Sequence, residues 1–296
     1  MPELPEVEYA ANVARQVTVG RTIERVSVHH PAQRRSLPAA AARRMAGDQV
    51  VQVERRGKYQ VFHLSSGRAL AVHFRMNGDW ERMEAGAPLP RHARVIIHLS
   101  GGVALALTDS RALATVTLHS AGTSPFPDLG PEANTDAFNA PWLAGWFRKR
   151  RGPVKPSLLD QRAVAGIGNI YASEALWYAR IDPRTPVNRL DAHALERLVR
   201  AVKRVMEKAL SRPERYYNAD GSSSAARFNV YDREGKPCRR CGTEISRIVQ
   251  AGRSTYYCGV CVAVAAAKKA PAGSKPGAGA QRRSGRAATG FGIRDS

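Results

Sequence analysis

The stretch Val95-Ile96-Ile97-His98-Leu99-Ser100-Gly101-Gly102-Val103-Ala104-Leu105-Ala106-Leu107 decides how the first half of the chain is built. Val95, Ile97 and Leu99 lie at period two, as do Val103, Leu105 and Leu107, and Ser100-Gly101-Gly102 breaks the run between them. Alternating apolar positions on either side of a Gly-rich break read as antiparallel strands with one face buried. The pattern recurs upstream at Ile23, Val26 and Val28, at Val50, Val51 and Val53, at Val61, Phe62 and Leu64, and at Leu70 and Val72. Breaks fall at Ser65-Ser66-Gly67 and around Gly86, Pro88 and Pro90. Residues from Thr22 to about Leu118 are therefore expected to form an antiparallel sandwich or barrel.

On either side the period is helical. Residues 2–15 read as a helix, with Pro5 at the first helical position, Glu6 and Glu8 at its positive end, and Val7, Ala10, Ala11 and Ala14 as an apolar stripe. A Pro/Gly-rich segment, Ala121 to Glu132, reads as a domain boundary. Helices are expected at 135–150, 157–164, 170–179 and 191–210, the last with Asp191 as N-cap. A Gly/Ser-rich stretch, Asn218 to Ala226, separates them from a cysteine module. After Cys261 an Ala/Gly/Pro/Lys/Arg composition cannot build a core and is expected to be disordered.

The 296 residues carry a formal charge of +21. Residues 262–296 hold seven Lys/Arg and one Asp, so +6 sits there and +15 on residues 1–261. A folded unit this cationic points to a polyanionic partner, nucleic acid first. No run approaches the ~18 uncharged apolar residues of a membrane span. The acidic N-terminus has neither the basic nor the apolar region of a secretory signal, so a cytoplasmic location is expected.

All four cysteines fall in one pattern, Cys238-x2-Cys241-x16-Cys258-x2-Cys261. Two Cys-x2-Cys knuckles read as one tetrahedral zinc site with four thiolate ligands and no open position, hence structural; disulfides or redox dithiols are the alternative. Gly242 to Tyr257 reads as a β-hairpin with Gly252-Arg253 near its tip. The loop Gly166-Ile167-Gly168-Asn169 opens a helix, where backbone N–H groups could approach a phosphate or could simply make a tight turn. Arg148, Lys149, Arg150, Arg151 and Lys155 lie nearby in sequence. With Met1 removed, Pro2 would present a secondary amine. An α-amino group titrates near 7.7–8.0 against about 10.4 for lysine, so it is the better nucleophile at neutral pH toward an aldehyde-level carbon. Glu3 beside it could move a proton, although Pro2, Glu3, Pro5 and Glu6 also suit a plain helix start.

Met1-Pro2-Glu3-Leu4-Pro5-Glu6-Val7-Glu8, Arg56-Gly57-Lys58-Tyr59, Gly166-Ile167-Gly168-Asn169-Ile170-Tyr171-Ala172-Ser173-Glu174 and the zinc knuckles together resemble the Fpg/Nei family of formamidopyrimidine-DNA glycosylases, from Pro2 to Cys261. The resemblance implies an α+β multi-domain protein: an N-terminal helix plus antiparallel β-sandwich over 2–120, a helix–two-turn–helix domain over 133–217, a four-cysteine zinc finger over 228–262 and a basic tail over 263–296. It implies a protein with one structural Zn2+ that clamps damaged double-stranded DNA, in the cytoplasm and at the nucleoid if bacterial; a monomer is expected because both domains serve one DNA site. In such an enzyme Pro2 attacks C1′ of the flipped nucleotide and forms an iminium as the base leaves, Glu3 acts as acid/base at the sugar, and β,δ-elimination cuts the strand. Lys58 would contact phosphate and assist elimination, Arg253 would grip phosphate and aid the δ step, and Asn169 would bind phosphate. His92, Arg111, Arg150 and Lys155 match further DNA-contacting positions, and Glu6 a buried supporting glutamate. Met76, Arg111 and Leu113 would fill the void left by the extruded base, with Leu113 standing where phenylalanine is usual. Oxidised purines are expected ahead of oxidised pyrimidines. The alternatives are an endonuclease VIII-type enzyme for oxidised pyrimidines, suggested by Ala226-Arg227-Phe228-Asn229-Val230-Tyr231 and a short segment at Tyr216 to Arg227, and a non-catalytic zinc-bearing binder of damaged DNA.

Overall fold

The computed structural model describes residues 1–84, 86–211 and 228–262. Segments 212–227 and 263–296, which include the Gly/Ser-rich stretch and the basic tail, lie outside the described residues. In chain order the N-terminal half contains α1 (Leu4–Thr18), β1 (Ile23–Val28), α2 (Pro31–Ser36), α3 (Ala39–Arg43), β2 (Val50–Arg56), β3 (Tyr59–Leu64), β4 (Ala69–His73), β5 (Asp79–Glu84), β6 (Ala93–Leu99), β7 (Val103–Thr108) and β8 (Thr115–His119). The stretch around Ser100-Gly101-Gly102 folds as a hairpin in which Leu99 faces Val103, Ile97 faces Leu105 and Val95 faces Leu107. Two four-stranded antiparallel sheets result, in the orders β1-β6-β7-β5 and β2-β3-β4-β8. Their inner faces meet in one core that includes Val95, Ile97 and Leu105 from one sheet and Val53, Phe62 and Val72 from the other. This is a sandwich.

Four elements are invisible to periodicity. β5 is an edge strand whose buried positions, Trp80 and Met83, lie three apart, so it shows no alternation. β8 is likewise an edge strand, next to β4, and only Val116 of its five residues is fully buried. α2 and α3, of six and five residues, are too short to display a helical stripe.

α1 starts two residues later and ends three residues later than the sequence suggests. Glu3 is its N-cap in extended conformation, Glu6 reaches back to accept the Glu3 N–H at 2.8 Å, and Pro5 occupies the second helical position. Leu4 is buried in the core of the helical half, whereas Ala10, Ala14 and Val17 are buried in the sandwich core. One helix thus belongs to both, and full burial of Leu4 alone is worth roughly 1.5–3 kcal/mol.

The helical half contains α4 (Ala140–Phe147), α5 (Val154–Leu158), α6 (Asn169–Ala179) and α7 (Ala192–Leu210). α4 is shorter than expected because Asn139 caps it, its Oδ1 accepting the Trp142 N–H at 2.9 Å. α5 spans 154–158 rather than 157–164; the chain turns after it, with the Asp160 carbonyl accepting the Ala163 N–H. α7 begins as expected, the Asp191 carboxylate accepting the Ala194 N–H at 2.8 Å. A small third cluster joins Trp177 of α6 to Val230, Ile245, Cys238, Cys258 and Cys261. Beside it β9 (Ser246–Gln250) and β10 (Arg253–Tyr257) pair as a hairpin. No helix among the described residues is long and apolar enough to cross a membrane.

Candidate active site

The start of α1 docks onto the glycine loop before α6. Leu4 donates its N–H to the Gly166 carbonyl at 3.0 Å. The Glu3 carboxylate, 1% exposed, accepts N–H bonds from Gly168 at 2.5 Å, Ile170 at 2.8 Å and Tyr171 at 3.4 Å. Both glycines are required by this approach. A Cβ at Gly168 would lie 2.5 Å from Glu3 Cδ, and one at Gly166, whose φ is +94°, would lie 2.6 Å from Leu4 Cδ1. The positive end of α6 therefore holds an anion, but a carboxylate of the chain rather than a phosphate. The phosphate reading of these N–H groups is corrected accordingly.

Burial raises the Glu3 pKa, and the Lys58 ammonium and the three N–H bonds oppose the rise. Glu6 is pushed up to about 7 by burial and by the Glu3 charge; its Oε1 accepts the Tyr171 hydroxyl at 2.7 Å. The amino terminus of the chain, at Met1, lies in the same field: burial lowers its pKa, Glu3 and Glu6 raise it, and Lys58 and Arg111 lower it. Lys58 lies in the two-residue turn between Arg56 of β2 and Tyr59 of β3, beside Gly57 at φ +58°. It is 6% exposed, and burial lowers its pKa, Glu3 raises it, and Arg253 lowers it further. The tertiary fold thus brings the amino end, Glu3, Glu6, Lys58 and Arg253 into one electrostatic group.

Arg253 is exposed just past the β9–β10 tip, where Ala251 and Gly252 both have positive φ. The Asn169 amide donates to the Ser254 carbonyl at 3.1 Å. Lys155 is 1% exposed, and its ammonium donates to Asn169 Oδ1 at 2.5 Å, Thr255 Oγ1 at 2.8 Å and the Ser254 carbonyl at 3.0 Å. With all three N–H bonds used inside the protein, Lys155 offers none to solvent. The expectation of a DNA-facing cation is corrected: Lys155 ties α5 and α6 to the hairpin that carries Arg253.

The remaining candidates lie on exposed loops. Met76 and Leu113 are 39% and 44% exposed, unusual for such apolar side chains. Arg111 is exposed, and His92, at φ +63°, accepts the Asp109 N–H with its carbonyl at 3.1 Å. Arg150 lies over the Trp146 ring, 3.8 Å from its centroid, and donates to the Trp146 carbonyl at 2.5 Å, so its guanidinium is held in place.

Family profiles for the formamidopyrimidine-DNA glycosylase N-terminal domain, the formamidopyrimidine-DNA glycosylase H2TH domain and a zinc finger found in FPG and IleRS match residues 1–116, 129–218 and 235–264. The chain belongs to the formamidopyrimidine-DNA glycosylase family. Among relatives so named, that of Gloeobacter violaceus is 41% identical over 283 residues, covering 88% of this chain and 97% of the relative. That of Bacillus subtilis is 34% identical, covering 88% and 99%. The crystal structure of MutM (Fpg) from Thermus thermophilus has a TM-score of 0.76 at 34% identity, covering 88% of this chain and 98% of the other. A Lactococcus lactis Fpg bound to Fapy-dG-containing DNA has a TM-score of 0.80 at 30% identity, covering 88% and 99%.

As a formamidopyrimidine-DNA glycosylase the chain is an enzyme of base excision, and its zinc-finger segment contains the four-cysteine site. The four Sγ atoms lie within 4.8 Å of one another, with Cys241 to Cys258, Cys241 to Cys261 and Cys238 to Cys261 at 3.4, 3.6 and 3.9 Å. Tetrahedral thiolates at a Zn–S distance of ~2.3 Å stand about 3.8 Å apart, so the donor set fits one zinc ion. Trp177 Nε1 and the Arg240 N–H both point at Cys238 Sγ at 3.4 Å, coupling the metal site to α6.

Reading the sequence misses several residues that shape this glycosylase. The Glu174 carboxylate is buried and accepts the N–H groups of Asn229, Val230 and Tyr231, which returns the chain to α6 after residue 227. Its place in the motif was the one signal. Arg55 pairs with Glu8 and makes two bonds to Glu132, which also accepts the Gly57 N–H and so fixes the Lys58 turn. His73 is pushed down to about 4 by burial, with Arg75 and Lys58 lowering it further, and its Nδ1 accepts the Arg75 N–H at the base of the Met76 loop.

Proposed function

We propose that this glycosylase removes oxidised purines, formamidopyrimidine and 8-oxoguanine, from duplex DNA through an amine at Pro2, and then cleaves the strand as a lyase. The observation that carries the reading is the convergence of the amino end, Glu3 and Lys58, from the chain start and a distant hairpin, into one buried group. The Pro2 amine would bond to C1′ as the N-glycosidic bond breaks and the base leaves. Glu3, whose pKa is raised by burial, would pass a proton to the sugar oxygen as the ring opens. The resulting iminium acidifies the C2′ proton. Its removal expels the 3′-phosphate, and loss of the C4′ proton from the conjugated iminium then expels the 5′-phosphate, with Lys58 and Arg253 balancing the developing negative charge. Arg111, His92, Arg150 and Asn169 would hold phosphates along the damaged strand, and Met76 with Leu113 would occupy the vacated space. Solved relatives are bound to DNA that contains Fapy-dG or carbocyclic 8-oxo-G, which supports purines over pyrimidines. The protein acts as a monomer in this reading, since one chain supplies every group.

Borohydride reduction with abasic-site duplex tests the amine. The wild-type protein should give a covalent protein–DNA adduct, and a Pro2→Gly chain that retains Met1 should lose it. An absent wild-type adduct, under conditions that trap a known lyase, would overturn the reading. Duplexes carrying 8-oxoguanine, formamidopyrimidine, thymine glycol and dihydrouracil then rank the lesions; faster excision of the two pyrimidines would favour the endonuclease VIII alternative.

A further inference from the structure

The loop between β7 and β8, residues 109–114, carries Arg111 and Leu113. It is an irregular segment with Ala112 at φ +53°, a conformation that alanine seldom adopts. Two buried polar side chains hold it. From below, the Asp109 carboxylate, 1% exposed, accepts the N–H groups of Arg111 at 3.0 Å, Leu113 at 2.7 Å and Ala114 at 2.8 Å. From the side, Gln33 of α2, with no exposed surface, donates its amide to the carbonyls of Ala114 at 2.8 Å and Ala112 at 3.2 Å. The Gln33 Oε1 atom is buried with no partner among the described residues. A buried amide carbonyl left unpaired is costly, so the side chain is there for its two N–H groups. α2 itself is fastened to β8, the Ser36 hydroxyl accepting the Val116 N–H at 3.3 Å.

We infer that Gln33 is a positioning residue for lesion-base extrusion: with Asp109 it clamps the 109–114 loop so that Leu113 and Arg111 stand ready to enter the duplex. Both carbonyls it holds flank Leu113, and the turn would otherwise relax Ala112 out of its left-handed conformation. Gln33, with no exposed surface, acts on DNA only through this loop in this reading. The inference rests on the proposed void-filling role of Leu113 and Arg111 and adds the residue that presets them. It places the demand on extruding a base, not on the elimination chemistry, which runs at Pro2, Glu3 and Lys58.

The full-length zinc-loaded protein is assayed in single turnover on two duplexes, one with formamidopyrimidine and one with a preformed abasic site, while 2-aminopurine opposite the lesion reports insertion. Gln33→Met keeps the volume and removes both donors. It should slow base excision on the order of tenfold and reduce the 2-aminopurine change, with abasic-site cleavage altered less than about twofold. Leu113→Ala should do the same, and the double variant should be no slower than Leu113→Ala alone. Wild-type excision by Gln33→Met beside a slow Leu113→Ala overturns the clamp and leaves the wedge standing. Multiplied losses in the double variant overturn it too, because Gln33 then acts elsewhere. An unaffected Leu113→Ala and Arg111→Ala pair overturns the void-filling reading and the inference with it. Retained abasic-site cleavage certifies folding, and if Gln33→Met fails to fold, Asp109→Asn carries the same comparison through the other side of the clamp.

Discussion

Among the buried carboxylates that gather three backbone N–H groups, Asp109 and Glu3 do opposite kinds of work. Asp109 binds the N–H groups of Arg111, Leu113 and Ala114, all within five residues of itself. Glu3 binds those of Gly168, Ile170 and Tyr171, more than 160 residues away. The first is a local turn device of the kind Asp favours, stabilising a loop shape that short-range chemistry already encodes. The second exists only when the sandwich and the helical half are docked, so the Glu3 carboxyl acquires its raised pKa from assembly. Distance along the chain separates a turn shaped by its own neighbours from a carboxyl buried by docking.

That contrast is open to attack at several points. Replacing the long-range carboxyl should have the largest effect: Glu3→Gln should lower single-turnover excision on the order of 10²–10⁴-fold, because it removes the proposed proton donor and leaves an amide N–H facing N–H groups. Loss below tenfold would mean that the reaction does not use this proton. Gly168→Ala leaves the chemistry of every other side chain unchanged but puts a Cβ 2.5 Å from Glu3 Cδ. Displacement of the carboxylate should slow excision on the order of 10²-fold with a lowered Tm, and normal rates would show that the loop yields without cost.

The pH dependence of stability gives a smaller signal from the same long-range site. Glu6 titrates at about 7 in the folded protein against 4.5 for an ordinary glutamate. Between those values the unfolded chain releases the proton while the folded chain keeps it, so this group's contribution to stability falls as pH rises through the window and is level above it. Glu6→Gln does not titrate. Across a Tm series from about pH 5 to pH 8 the variant should gain on wild type by up to about 3 kcal/mol and then run parallel to it. Parallel curves throughout would place Glu6 at its ordinary pKa. The smallest effect belongs to the local site: Ala112→Gly relieves a left-handed residue and should raise stability by less than about 1 kcal/mol, partly offset by the freer unfolded chain. A loss instead would show that the turn needs the alanine methyl.

Most of the architecture was legible wherever burial repeats. Six sandwich strands and five helices announced themselves through recurring apolar positions, whereas β5, β8 and the short α2 and α3 bury too little in too few residues to leave a period. The zinc site was legible because its ligand spacing is local. Lys155 misled for the reverse reason: lysine reads as a surface cation, and only a structure supplies the Asn169, Ser254 and Thr255 oxygens that enclose it. The glycine loop misled in the same way, since nothing nearby in sequence reveals that Glu3 fills the helix end.

By itself, then, the sequence determined most of the elements, the cysteine site and the cationic character of the chain, because periodicity, ligand spacing and net charge are properties of near neighbours or of plain composition. The tertiary structure alone decided which charges are buried, which N–H groups are already taken and what stands beside the amino end. Those depend on desolvation and on contacts between residues far apart in the chain, and both arise only once the two halves have packed around α1.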